Sequence, residues 1–118
     1  MTTATEAITL RTNGKVVVAE FTKGELKDER EILRLLEKLG ELIEKRSGVC
    51  ILLNMASVMY VSSSGLGTLV SLLKKVGRQK GTLKICCLSQ PVRELFSIMQ
   101  LTKIFQIFDT EEAAVASF

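Results

Sequence analysis

Three consecutive serines, Ser62, Ser63 and Ser64, run directly into Gly65-Leu66-Gly67, and residue types and spacing bear most on chemistry in this segment. It joins an apolar run to an amphipathic one, so it reads as the passage from a strand into a helix. The first-turn N–H groups of such a helix lack helical partners and carry partial positive charge. A hydroxyl there caps the helix or receives an anionic group that the helix end stabilises. Gly65 and Gly67 remove side-chain bulk from the first turn, which leaves room for another backbone. The Gly-Leu-Gly is no dinucleotide fingerprint, because Val70 stands at the third glycine position. The loop is also too short to cradle phosphates as a P-loop does.

The rest of the composition removes whole classes of chemistry. The 118 residues include no histidine, which excludes Ser-His and Cys-His pairs, imidazole bases and histidine-ligated metals. The three cysteines, Cys50, Cys86 and Cys87, are an odd set without CxxC spacing, so neither a disulfide framework nor a zinc site is expected. Cys86-Cys87 reads as a core pair on a strand, with Lys84 the one nearby cation in sequence. Sixteen Lys+Arg against thirteen Asp+Glu leave a net charge of +3, too small an excess to point to nucleic acid. Residues 49–73 carry no charge and are long enough to span a bilayer, but Asn54, the serines and two glycines inside them argue against insertion. The first residues show no basic region ahead of an apolar stretch, so no signal peptide and a cytoplasmic location are expected. No cofactor, metal or catalytic constellation is legible, and an enzyme is not expected.

The elements that must position the serines follow from periodicity. Residues 7–11 and 15–21 are β-rich runs flanking Thr12-Asn13-Gly14, and Asn-Gly predicts a tight hairpin turn. Apolar residues at 32, 35, 36, 39, 42 and 43 predict a helix over 29–46, with Asp28 as its N-cap. Residues 49–53 form a continuous apolar run, the mark of a strand buried on both faces. A second helix is expected over 64–80 and a third buried strand over 83–88. Pro91 suits the first turn of a short helix over 91–99. A last strand over 104–108 and a helix from Asp109-Thr110 through Ser117 complete the chain. The order β-β-α-β-α-β-α-β-α predicts one mixed α/β domain over 1–118, with an N-terminal hairpin, about four helices and a mainly parallel sheet interior.

Residues 53–69, with Ser62-Ser63-Ser64-Gly65-Leu66-Gly67 at their centre, resemble the signature of STAS domains, in particular bacterial anti-sigma factor antagonists. The resemblance extends to Phe21-Thr22-Lys23-Gly24-Glu25-Leu26 after the second strand. It also covers Ser89, Pro91-Val92, Leu95-Phe96, Leu101, Ile104-Phe105 and Glu111-Glu112-Ala113-Ala114 in the last third. It implies a STAS fold and a protein that binds an anti-sigma factor serine kinase and releases sigma factor. Phosphorylation at Ser63 switches that binding off, and a serine phosphatase restores it. Gly24, Glu25, Leu26, Ser62, Ser63, Ser64, Gly65, Leu66 and Gly67 are then the partner-binding residues. The resemblance also admits weak nucleotide binding.

Three positions depart from the family pattern. Ser62 stands for the aspartate before the phosphoserine, Asn54 for the one closing the preceding strand, and Lys27 for the one after Gly-Glu-Leu. All three remove negative charge. They keep Ser62 and Ser64 open as alternative acceptors. They also keep open a second reading, a non-phosphorylated STAS interaction module in a signalling or lipid-transport assembly.

Overall fold

The computed structural model describes residues 8–22, 24–26, 34, 37–41, 44, 45 and 47–118. β1 (Ile8–Asn13) and β2 (Val16–Phe21) pair antiparallel with Asn13 opposite Val16, so the hairpin turn is Gly14-Lys15. The turn therefore lies one residue later than the Asn-Gly signal suggests. Of its two central residues only Gly14 has a positive φ, 62°, so glycine itself supplies the twist and Asn13 remains in the strand.

Two more strands have two residues each: β3 (Glu25–Leu26) and β5 (Tyr60–Val61), which pair parallel as a separate ribbon. Neither is expected from periodicity, because two residues are too few to show alternation. Between them come the helical residues 34, 37–41, 44 and 45 (α1) and then β4 (Cys50–Asn54). Asp28, residues 29–33 and Lys27 lie outside the described residues. α2 (Ser63–Arg78), β6 (Thr82–Cys86), α3 (Gln90–Ile98), a 3-10 turn (Leu101–Lys103), β7 (Gln106–Phe108) and α4 (Glu111–Ala116) complete the order. The main sheet runs β1-β2-β4-β6-β7 and is parallel except for β1.

Three boundaries differ from the periodicity reading because the backbone turns left-handed beyond them. Lys80 follows α2 at φ 61°, Cys87 ends β6 at φ 67°, and Gln100 precedes the 3-10 turn at φ 60°. Cys87 thus lies just past the strand, where its N–H donates to the Phe108 carbonyl at 3.0 Å.

Alternation along the strands sorts the core into two layers. Val17, Ala19, Phe21, Ile51, Leu53, Leu83 and Ile85 face the side that Leu39, Leu66, Leu69, Leu72, Val76, Val92 and Phe96 cover. Val16, Val18, Leu52 and Cys86 face the other side, covered by Ala114 and Val115 of α4 with Phe108 and Phe118. Lys84 falls on this thinner side, only 5% exposed. Its Nζ donates to the Ser117 carbonyl (2.7 Å) and Oγ (2.8 Å), and it sits 4.7 Å from the Phe118 ring centroid and 5.5 Å from that of Phe108. Phe118 thus helps cover a buried lysine.

Candidate functional site

α2 starts where the serines predict, and the three hydroxyls have three different environments. Ser62 is the N-cap, extended at φ −76° and ψ 168°, and its Oγ accepts the Gly65 N–H at 3.1 Å. Its carbonyl accepts the Leu66 N–H at 2.9 Å, the first helical bond. The Ser62 hydroxyl is therefore committed to the fold. Ser63 is the first helical residue; it is exposed, and its hydroxyl has no hydrogen-bond partner among the described residues. Ser64 is also exposed, and its carbonyl accepts from the Thr68 hydroxyl at 3.0 Å. No acidic residue occupies the first turn, so the positive end of a 16-residue helix is not neutralised there.

The cap also shows how the fold tolerates one departure from the family pattern. Serine and aspartate are both good N-caps, so Ser62 keeps the capping bond and gives up only the charge beside Ser63.

The second predicted segment lies against the first. The Gly24 carbonyl accepts the Met59 N–H (2.6 Å) and the Tyr60 N–H (3.1 Å), and Glu25 and Leu26 align with Tyr60 and Val61. Residues 35 positions apart in sequence, Glu25 with Tyr60 and Leu26 with Val61, thereby form one edge beside Ser63. Gly24, Ser63, Ser64 and Gly67 are exposed on it, and Ser62 is half-buried. An added Cβ at Gly67 would meet nothing within 4 Å, so among the described residues none uses the room that glycine leaves. Gly65 and Leu66 are a correction. Leu66 is only 5% exposed and belongs to the core, and Gly65 is buried, so both support the edge from beneath.

Two residues escaped the sequence reading. Met59 (55% exposed) and Tyr60 (49%) are large apolar side chains left in water next to Gly24 and Ser62. The apolar residues of 55–61 follow no period that shows which of them turn outward. A signal was present nonetheless: the strand ends at Asn54, and residues beyond a strand end are no longer bound to its alternation.

Asn54 closes β4 and is only 8% exposed. Its Oδ1 accepts the Ala56 N–H at 3.0 Å, and its Nδ2 donates to Glu111 Oε1 at 2.9 Å. Glu111 also accepts from Arg11 Nη1 (2.8 Å) and Nη2 (2.5 Å), and Arg11 reaches Glu20 at 3.1 Å. A second carboxylate in place of Asn54 would face Glu111, which gives a local reason for the amide. Hydrogen bonds from Arg11 hold the Glu111 carboxyl below its ordinary value of 4.5; burial opposes this and the Asn54 amide adds to it. A carboxyl lowered in the folded state stabilises fully above its unfolded-state value. That contribution is lost as pH falls through the lowered folded value. Glu111→Gln is therefore expected to cost about 1 kcal/mol at neutral pH and to flatten the fall in melting temperature below pH 4.5. Thermal melts from pH 3 to 7, an interval spanning the carboxylate range, check both.

Burial pushes the Cys86 thiol upward, and a hydrogen bond from Cys87, with sulfurs 3.2 Å apart, adds to this. Cys86 is therefore held as a neutral thiol and packs as a core residue. Among the described residues, no helix is long and apolar enough to cross a membrane.

The sequence pattern of the STAS domain matches residues 8–114. An anti-sigma F factor antagonist of Paenibacillus polymyxa is 30% identical over 78 residues, 66% of this chain and 67% of that protein. An anti-sigma-B factor antagonist of Bacillus subtilis is 38% identical over 81 residues, 69% of this chain and 72% of that one. Among solved structures, the Bacillus cell fate determinant SpoIIAA in its phosphorylated form aligns with a TM-score of 0.71 and 23% identity. That alignment covers 94% of this chain and 98% of SpoIIAA, a likeness of fold.

Proposed function

This chain belongs to the STAS domain family, and we propose that it acts there as an anti-sigma factor antagonist, a non-enzymatic cytoplasmic regulator. In this reading it binds an anti-sigma factor serine kinase through the edge of Gly24–Leu26, Met59, Tyr60, Ser62–Ser64 and Gly67, so that sigma factor is released. Phosphorylation of Ser63 ends the binding, and a serine phosphatase restores it. The observation that carries the reading is Ser63 itself: exposed, without a hydrogen-bond partner among the described residues, and at the positive end of α2. Relatives named anti-sigma factor antagonists support it.

The physics suits a switch. A phosphoserine adds about −1.5 to −2 charges to a surface that docking must strip of water. The same charge is tolerated by the helix N-terminus, so the interface is lost while the fold survives. Ser62 is the weaker acceptor because its hydroxyl caps the helix, whereas Ser64 has no such commitment.

The test is to incubate the chain with the anti-sigma serine kinase encoded in the same genome and ATP, then map the phosphosite by mass spectrometry. Phosphate on Ser63 supports the reading, and phosphate on Ser64 keeps the switch but moves the acceptor. A stable complex with no phosphate on any serine overturns it. That last outcome favours the non-phosphorylated interaction module, a reading supported by Ser62 and Asn54 standing where the family signature carries aspartates.

Tyr60 is expected to be an anchor of the same interface. Tyr60→Ala should weaken kinase binding about tenfold, within the usual range for an interfacial aromatic. Its melting temperature should stay near wild type, because the side chain is 49% exposed. Calorimetric titration beside a thermal melt separates the two effects.

A further inference from the structure

The segment 55–60, which leads into the serines, is held at four places. The Met55 N–H donates to the Cys86 carbonyl at 3.1 Å, and the Val58 carbonyl accepts from the Ser89 hydroxyl at 2.8 Å. The Met59 and Tyr60 N–H groups both reach the Gly24 carbonyl. The fourth link is the Asn54 side chain, which accepts the Ala56 N–H with one atom and donates to Glu111 with the other. Among the described residues it is the one side chain that hydrogen-bonds both this segment and α4.

We propose that Asn54 is a positioning residue for the segment 55–60, and that Glu111 on the C-terminal helix fixes Asn54 in that role. The sheet's far face thereby helps set the docking edge. An Asn side chain with both ends occupied has one amide orientation, because Oδ1 must accept from Ala56 and Nδ2 must donate to a carboxylate. Removing the carboxylate leaves Nδ2 without its acceptor and frees the side chain to turn. The Ala56 N–H then loses a fixed acceptor. α4 is anchored independently of this link, through Lys84 to Ser117 at its C-terminal end and through Ala114 and Val115 packed against the sheet. The link therefore couples two elements that would each persist without it.

The proposal rests on the antagonist reading only where it concerns partner affinity. It is tested with the full chain as wild type, Glu111→Ala, Glu111→Gln, Asn54→Ala and the Glu111→Ala/Asn54→Ala double variant. Two quantities are read: hydrogen exchange of the Ala56 amide by NMR, and affinity for the anti-sigma serine kinase used for phosphosite mapping. Glu111→Gln loses the ion pair with Arg11 but keeps an oxygen that accepts from Asn54, whereas Glu111→Ala keeps neither. Ala56 exchange is expected to quicken, and affinity to fall about fivefold, the lower end of measured couplings between sites, in Glu111→Ala and Asn54→Ala. Glu111→Gln should stay near wild type in both readouts despite its lower melting temperature. The double variant should match the worse single one, since both remove the same link. Equal effects of Glu111→Ala and Glu111→Gln would reduce Glu111 to a stabilising residue and overturn the proposal. So would additive effects in the double variant, or unchanged Ala56 exchange in Glu111→Ala. The exchange arm needs no partner, so a chain that binds no kinase would sink the antagonist reading and still decide this one.

Discussion

Ser63→Asp is expected to weaken binding to the anti-sigma serine kinase by about a hundredfold or more, a penalty of roughly 3 kcal/mol. The melting temperature should hold or rise slightly. The two halves of that result have separate causes. Ser63 is exposed, with no hydrogen-bond partner among the described residues, so a carboxylate there displaces nothing inside the fold. It also occupies the first turn of α2, which otherwise carries no acidic residue, and an anion near a helix N-terminus contributes about 0.3–1 kcal/mol. At an interface the same carboxylate must leave water without a prepared partner, and that cost falls entirely on binding. Ser63→Ala should bind like wild type and no longer be released by ATP. Equal affinity of Ser63→Asp and wild type would sink the charge-switch mechanism. A fall in affinity matched by a fall in melting temperature would mean that the substitution damages the fold instead. The same aspartate placed at Ser64 measures how local the effect is, since that side chain is also exposed one residue further along.

The largest expected effect on stability lies well away from the serines. Gly81→Ala is expected to cost about 3 kcal/mol, the upper part of the range for overpacking. That lowers the melting temperature by roughly 15 °C in a domain near this size. A Cβ at Gly81 would stand 2.6 Å from the Val49 carbonyl oxygen and 2.9 Å from Val76 Cγ1. Neither neighbour gives way easily. The Val49 carbonyl accepts the Thr82 N–H at 2.9 Å, and the Gly81 N–H itself bonds the Val76 carbonyl at 2.9 Å. Gly67→Ala and Gly77→Ala supply the contrast on α2, because an added Cβ at either meets nothing within 4 Å. Each should stabilise by about 0.5–1 kcal/mol through better helix propensity. Thermal melts of the three variants separate these outcomes by sign. A mild Gly81→Ala would mean that the passage from α2 into β6 relaxes more than its hydrogen bonds suggest.

The strands and helices were legible wherever a local pattern repeats. The β-rich run of β2, the unbroken apolar run of β4 and the 3.6-residue stripe of α2 each place an element from its own residues. The proposed docking edge was legible in part. Ser62 to Gly67 announce a helix start by capping chemistry alone, and the resemblance added the Gly24-Glu25-Leu26 segment. The β3–β5 ribbon that joins the two was not, because a two-residue strand exists only by virtue of its partner. Leu66 misleads for the opposite reason. It sits inside the exposed-looking Ser-Gly motif, yet the turn of the helix carries it into the core.

The left-handed residues Lys80, Cys87 and Gln100 were likewise invisible, since none is of a type that prefers that conformation. Cys87 is held there by its bond to the distant Phe108 carbonyl, whereas Lys80 and Gln100 bond the Gly77 and Ser97 carbonyls at the ends of the helices they follow. The amide at position 54 reads from sequence only as a lost charge. Glu111, 57 residues further on, makes it a donor with a fixed partner. The sequence alone therefore determined the order of the longer strands and helices, the mixed sheet and the serine at the helix start, because these follow from short-range periodicity and capping. The tertiary structure decided which serine hydroxyl is spent, which apolar side chains remain in water, and what Asn54 and Lys84 touch. Those outcomes depend on contacts between residues far apart in the chain, and such contacts leave no mark in local pattern.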